Sequence, residues 1–122
     1  MATIRALLSV AIFLPACAAQ PGADLSTSPI DRIVQAARAD AAQRSGLPTA
    51  QMQLVTAESV TWSDGGLGCP RKGMLYTQAL VPGYRVKLKV GNEVWDYHAG
   101  ERGGLLLCPP GRAQEPGPDS AN

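Results

Sequence analysis

Apolar positions change period twice along this 122-residue chain, and each change marks a different kind of element. Ile30, Ile33, Val34, Ala37 and Ala41 recur at helical spacing. Ser28 can accept a hydrogen bond from the free amide of Asp31, Pro29 has no amide to lose at the first turn, and Asp31 suits the positive end of the helix dipole. Gly46 followed by Leu47-Pro48 is the stop. The pattern therefore predicts one amphipathic helix, with Arg32, Arg38 and Arg44 off its apolar stripe.

From Met52 the pattern becomes that of extended chain. Met52 to Trp62 is rich in Val and Thr and reads as one strand, bent near Glu58. Ser63 to Gly73 is glycine-rich and reads as a loop, and Leu75 to Leu80 as a weaker strand ended by Pro82-Gly83. Tyr84, Val86, Leu88 and Val90 alternate with Arg85, Lys87 and Lys89 up to a Gly91-Asn92 turn. A two-residue turn there sets Leu88 opposite Trp95, Val86 opposite Tyr97, Lys87 opposite Asp96 and Arg85 opposite His98. Leu105 to Cys108 reads as a last short strand. The fold class expected is α+β, with an N-terminal helix packed on a small antiparallel sheet of four to five strands.

The ends of the chain read differently. Arg5, a nine-residue largely apolar run from Ala6 to Leu14, and small residues after Pro15 form the three parts of an export signal. Leu14-Pro15-Ala16-Cys17 is similar to the lipobox of bacterial lipoproteins, with Pro15 where a small or β-branched residue is usual. Cleavage before Cys17 would leave that residue to carry lipid, whereas ordinary signal cleavage at Ala16-Cys17-Ala18 would discard it. The expected organisation is a signal segment over 1–16, a flexible tether over 17–27, the domain over 28–110 and a disordered tail over 111–122. The expected location is the periplasm or cell envelope, with the membrane reached through the N-terminal lipid.

Either processing route leaves Cys69 and Cys108 as the remaining cysteines, and in an oxidising compartment a disulfide between them is the expected outcome. Metal binding by Cys69, Cys108 and His98 is the sharper alternative, but the ligands lack CxxC or HxxxH spacing. No metal and no cofactor is expected. One histidine, no Gly-x-Ser-x-Gly elbow, and no evident carboxylate pair in Asp64 and Asp96 leave no catalytic assignment, so a non-enzymatic role is expected.

With Arg5 removed, ten basic and ten acidic residues remain, and such a neutral balance does not suit nucleic-acid binding. The charges are unevenly spread. Between Asp64 and Glu93 there are five basic residues, Arg71, Lys72, Arg85, Lys87 and Lys89, and no acidic one. In the hairpin register Asp96 faces Lys87 alone, so Arg85 and Lys89 should stand uncompensated on a stripe suited to an acidic protein or an anionic envelope component. A solvated hairpin face is the simpler reading of the same stripe.

Trp62-Ser63-Asp64, Leu67-Gly68-Cys69-Pro70, Gly73-Met74, Tyr76-Thr77-Gln78, Pro82-Gly83-Tyr84 and Tyr97-His98, with a later Cys108, follow one another in a specific order. Over about Val60 to Cys108 the chain resembles a family of small uncharacterised exported bacterial proteins. That resemblance implies an exported domain with a paired cysteine and no known activity; Lys72 stands where the family's pattern has proline. The functional expectation is an exported, lipid-anchored binding module. The alternative is a secreted protease inhibitor that offers the Cys69 to Gly73 loop, with its basic residues, to a trypsin-like pocket.

Overall fold

A computed structural model describes residues 10–14 and 27–117. The expected signal cleavage, the lipid-bearing Cys17 and most of the tether lie outside the described residues. Helix α1 spans Pro29–Ser45 and opens with a capping box, in which the Ser28 hydroxyl accepts from the Asp31 amide and the Asp31 carboxylate accepts from the Ser28 amide. It ends at Gly46, whose φ of 74° is the left-handed cap that glycine adopts without strain. A short 3-10 turn, Thr49–Gln51, leads into the sheet.

Four antiparallel strands follow in sequential order: β1 (Gln53–Trp62), β2 (Val81–Val90), β3 (Glu93–Gly100) and β4 (Gly103–Cys108). The hairpin register is the expected one, with Leu88 opposite Trp95, Val86 opposite Tyr97, Lys87 opposite Asp96 and Arg85 opposite His98. Gly91 takes a φ of 61° and Asn92 a negative one, the type II′ pattern that glycine at the first turn position permits. The irregularity in β1 lies between Leu54 and Thr56, at Val55, three residues before the expected bend.

Two expectations are corrected. Leu75 to Leu80 forms no strand, so the sheet has four strands and the loop between β1 and β2 runs from Ser63 to Leu80. Pro82-Gly83 does not end an element but lies within β2, at its start. Pro82 is tolerated there because its partner on the far side is the turn after β3, where the Glu101 amide donates to the Pro82 carbonyl at 2.8 Å.

Each face of the sheet has its own cover. On one face Val86, Leu88, Val90 and Tyr97 pack with Met52 against Val34, Ala37 and Ala41 of the helix. Arg38 ties the helix to the entry of β1 by donating to the Met52 carbonyl at 2.7 Å. The buried Tyr97 hydroxyl donates to Asp40 at 2.9 Å, so the helix also satisfies the polar end of the largest core side chain it meets. The opposite face carries Val60, Trp62, His98 and Cys108, all buried. No helix covers them; the β1–β2 loop does, held by the Cys69–Cys108 disulfide. Closing a loop of that length contributes about 4 kcal/mol in the chain-entropy account.

The segment after β4 departs from the expected free tail. Over 109–117 it runs back along the covering loop and β1: the Gln114 amide donates to the Gly68 carbonyl at 2.7 Å and the Gly117 amide to the Thr61 carbonyl at 3.3 Å. Among the described residues no helix is long and apolar enough to cross a membrane.

Candidate functional site

Alternation along β2 and β3 sends Arg85, Asp96 and His98 to the loop-covered face. The indole of Trp62 lies across β2 to reach them. Gly83 makes that crossing possible, since a Cβ there would overlap the Ala99 carbonyl and press on the indole nitrogen. Trp62 Nε1 donates to the Ala99 carbonyl at 3.1 Å, and the indole stacks on the His98 ring with centroids 4.4 Å apart and planes 20° from parallel.

His98 Nδ1 lies 2.6 Å from the Leu67 carbonyl oxygen, an acceptor only, so Nδ1 is the nitrogen that carries the proton. Its Nε2 is 3.1 Å from Asp96 Oδ1 but off the direction of a good hydrogen bond. Asp96 is bound more firmly by Arg85, whose Nε and Nη2 donate to the two carboxylate oxygens at 3.1 and 2.8 Å. The remaining arm of Arg85 donates to Glu115 of the tail at 2.7 Å. Only 4% of the Arg85 side chain is exposed, against 80% for Glu115. The Asp96 pair is therefore shielded and the Glu115 pair is largely solvated, so removing one partner of the first costs far more than removing one partner of the second.

This arrangement overturns the expected stripe. Arg85 is not a free surface cation, because the diagonal reach to Asp96 across the hairpin beats the direct pairing of Asp96 with Lys87. Lys89 is exposed, Lys87 is half-buried, and Arg71 and Lys72 stand exposed on the covering loop. The five cations do not form one surface. The segment from Arg71 to Met74 is a tight turn closed by the Met74 amide on the Arg71 carbonyl at 3.2 Å, rather than an extended strand. Cys69 and Cys108 spend both sulfurs on the disulfide and cannot serve as thiolate ligands with His98. Asp64 holds its own turn by accepting from the Gly66 amide at 2.7 Å.

A half-open groove of about 810 Å³ lies at the edge of β3. It arises from unequal strand lengths. β4 pairs with β3 only as far as Cys108 opposite Asp96, after which Pro109-Pro110 turns the chain away. Neither proline has an amide to donate, so β4 cannot continue. In this hairpin Val90 and Glu93 flank the turn, and alternation of bonding then directs the Val94 amide and carbonyl away from β2, into the groove. Trp95 and Leu107 supply apolar wall on the helix side, Pro109 and Pro110 on the other, with Arg44 and Lys87 at the rims. Of the residues expected to bind a partner, only Lys87 lines it. The signal for the rest was the double proline directly after a short strand, beside a longer one.

A family model for a domain of unknown function, DUF8738, matches residues 34–108, more than half of the chain. The chain belongs to the DUF8738 family. The matched span starts within α1 and ends at Cys108, so the DUF8738 domain holds all four strands, the disulfide, Trp62, Arg85, Asp96 and His98. Glu115 and the two prolines of the groove lie beyond it. No curated protein and no solved structure matches the chain.

In this DUF8738 domain burial alone would raise the Asp96 pKa, but the neighbouring His98 ring and the guanidinium fork of Arg85 outweigh it and hold the carboxyl well below the usual carboxylate range. A folded value below the unfolded one, about 3.9, means that the stability Asp96 contributes is fully present above that pH. It is lost as pH falls from about 4 through the folded value. Asp96→Asn should therefore cost about 3 kcal/mol at neutral pH, by stranding a buried guanidinium, and the gap from wild type should shrink in acid. Glu115→Gln should cost far less. Urea unfolding of the three proteins between neutral pH and about pH 2 checks both; equal losses for the two variants would contradict the assignment.

Proposed function

We propose that this protein is an exported, non-enzymatic binding module of the cell envelope, lipid-anchored at Cys17, whose β3-edge groove takes an extended segment of a partner protein. The observation that carries the reading is the bare stretch of β3 beside Val94. An incoming extended chain can bond to the Val94 amide and carbonyl as a further strand, and gain affinity by burying an apolar side chain between Trp95 and Leu107. Trp95 is the natural anchor, because a half-exposed indole beside unpaired backbone offers a large apolar area at little cost in side-chain freedom. Its Nε1 is held by Glu93 at 3.3 Å, which keeps the ring oriented at the mouth of the groove.

Arg44 and Lys87 give the rims a cationic character, although Arg44 is shared with Asp40 through a 2.6 Å ion pair. A partner segment with an acidic residue flanking an apolar one fits these rims. The inhibitor reading has less support, since the loop that would enter a protease is folded into a turn between Arg71 and Met74.

The anchor and the groove are tested separately. The intact mass of membrane-extracted protein should show acyl mass on an N-terminal Cys17, and a soluble product starting at Ala19 without that mass would remove the anchor. For the groove, displayed random peptides are selected against the full chain and rebound to two variants. Val94→Pro removes the edge amide and Trp95→Ala removes the anchor; each should weaken the selected peptides at least about tenfold. Peptides that bind both variants as well as wild type, or no enrichment at all, would contradict the groove.

A further inference from the structure

The loop that covers the second face is itself the least buried apolar part of the domain. Leu75 is 99% exposed, Leu80 71% and Met74 54%, three large apolar side chains within seven residues. A loose loop would fold such residues inward. This one is pinned at several points: the Arg71 amide donates to the Tyr76 hydroxyl at 2.9 Å, the Met74 amide to the Arg71 carbonyl at 3.2 Å, and the Gly65 amide to the Thr77 carbonyl at 2.9 Å. The disulfide fixes its base at Cys69. The exposed apolar tip is thus held outward by the loop's own hydrogen bonds.

Beside the tip stand Arg71 and Lys72, both exposed. Among the described residues neither joins an ion pair, and no acidic residue occurs in the sequence between Asp64 and Glu93. An apolar tip flanked by unneutralised cations is complementary to a surface that is anionic outside and apolar just beneath. A bilayer with anionic headgroups has that profile, and Tyr76, half-buried at the edge of the tip, suits the boundary between the two layers. A protein partner would have to supply both an apolar pocket and a separate acidic rim.

We infer that the 71–80 loop is a membrane-contact loop, seating Met74, Leu75 and Leu80 at the headgroup–acyl boundary of an anionic bilayer while Arg71 and Lys72 pair with its headgroups. The contact does not depend on the groove. Nor does it require the lipid anchor, although an anchor at Cys17 would leave only eleven residues before the helix, a reach of at most about 40 Å, and so keep the loop near the surface. The domain would then stand on the bilayer through two points.

The test uses the full chain as the cell processes it, with Leu75→Trp as the probe and Val55→Trp, on the exposed side of β1, as the control. Vesicles carry brominated acyl chains, either with phosphatidylglycerol or with phosphatidylcholine alone. The emission added by Leu75→Trp should be quenched on the anionic vesicles, recover at high salt, and be unaffected by the zwitterionic ones, while that of Val55→Trp stays unquenched. Adding Arg71→Ser or Lys72→Ser should weaken partitioning by about fivefold each. An unquenched Leu75→Trp, or equal quenching at both positions, would overturn the inference. So would a Leu75→Trp emission already shielded without lipid in a dimeric protein, which would assign the tip to a second copy.

Discussion

Trp62 can lie across β2 only because Gly83 has no side chain, and the half of the molecule opposite the helix is built over that crossing. The indole reaches His98 two strands away, stacks on it, and is itself covered by the backbone at Gly68. Once this pair is in place, the Leu67 carbonyl meets His98 Nδ1 and the loop has a fixed position from which Cys69 meets Cys108. A small domain cannot leave such a face open to water. With a single α-helix among the described residues, covalent staple, loop and tail together do what a second helix does in larger folds.

The same cover decides the electrostatics. Arg85 would be an ordinary exposed cation on a bare hairpin, but beneath the tail it is shielded, and a shielded guanidinium needs a carboxylate with matching fork geometry. Asp96 supplies it from the neighbouring strand. Positive charge is thereby withdrawn from the centre of the sheet and left at its margins, on Lys87 and Lys89 at one end and Arg71 and Lys72 on the loop. Burial on the second face thus separates the groove, walled by apolar side chains at the β3 edge, from the basic and apolar tip of the loop.

Local features were legible wherever two of them agreed. Ser28-Pro29 and Gly46 bracket an apolar period, and they bound the helix observed. Alternation and Gly91-Asn92 both demanded one hairpin register, which is the register present. The pairing of Cys69 with Cys108 followed from the expectation that Cys17 is either lipidated or removed, which leaves these two cysteines for each other. What escaped the sequence depended on the second cover. Leu75 to Leu80 has strand-like residues, yet loop hydrogen bonds at Tyr76 and Thr77 hold it out of the sheet. The tail is rich in Pro and Gly, but its backbone finds Gly68 and Thr61. Arg85 looked like its neighbours Lys87 and Lys89 because nothing in the alternation says what lies above each. The groove was half legible, in the double proline that stops β4 short of its partner.

The docking of the loop on the second face is central, since the ion pair, the tail and the exposed tip all follow from it. The hydrogen bond from His98 Nδ1 to the Leu67 carbonyl reports that docking directly, from inside the contact between loop and sheet. Because this is the chain's only histidine, long-range proton–nitrogen NMR reports its ring without ambiguity. The account predicts a proton on Nδ1 that exchanges slowly with solvent, and faster exchange once Cys69 and Cys108 are reduced. A ring protonated on Nε2 alone, or an Nδ1 proton in rapid exchange in the oxidised protein, would contradict it.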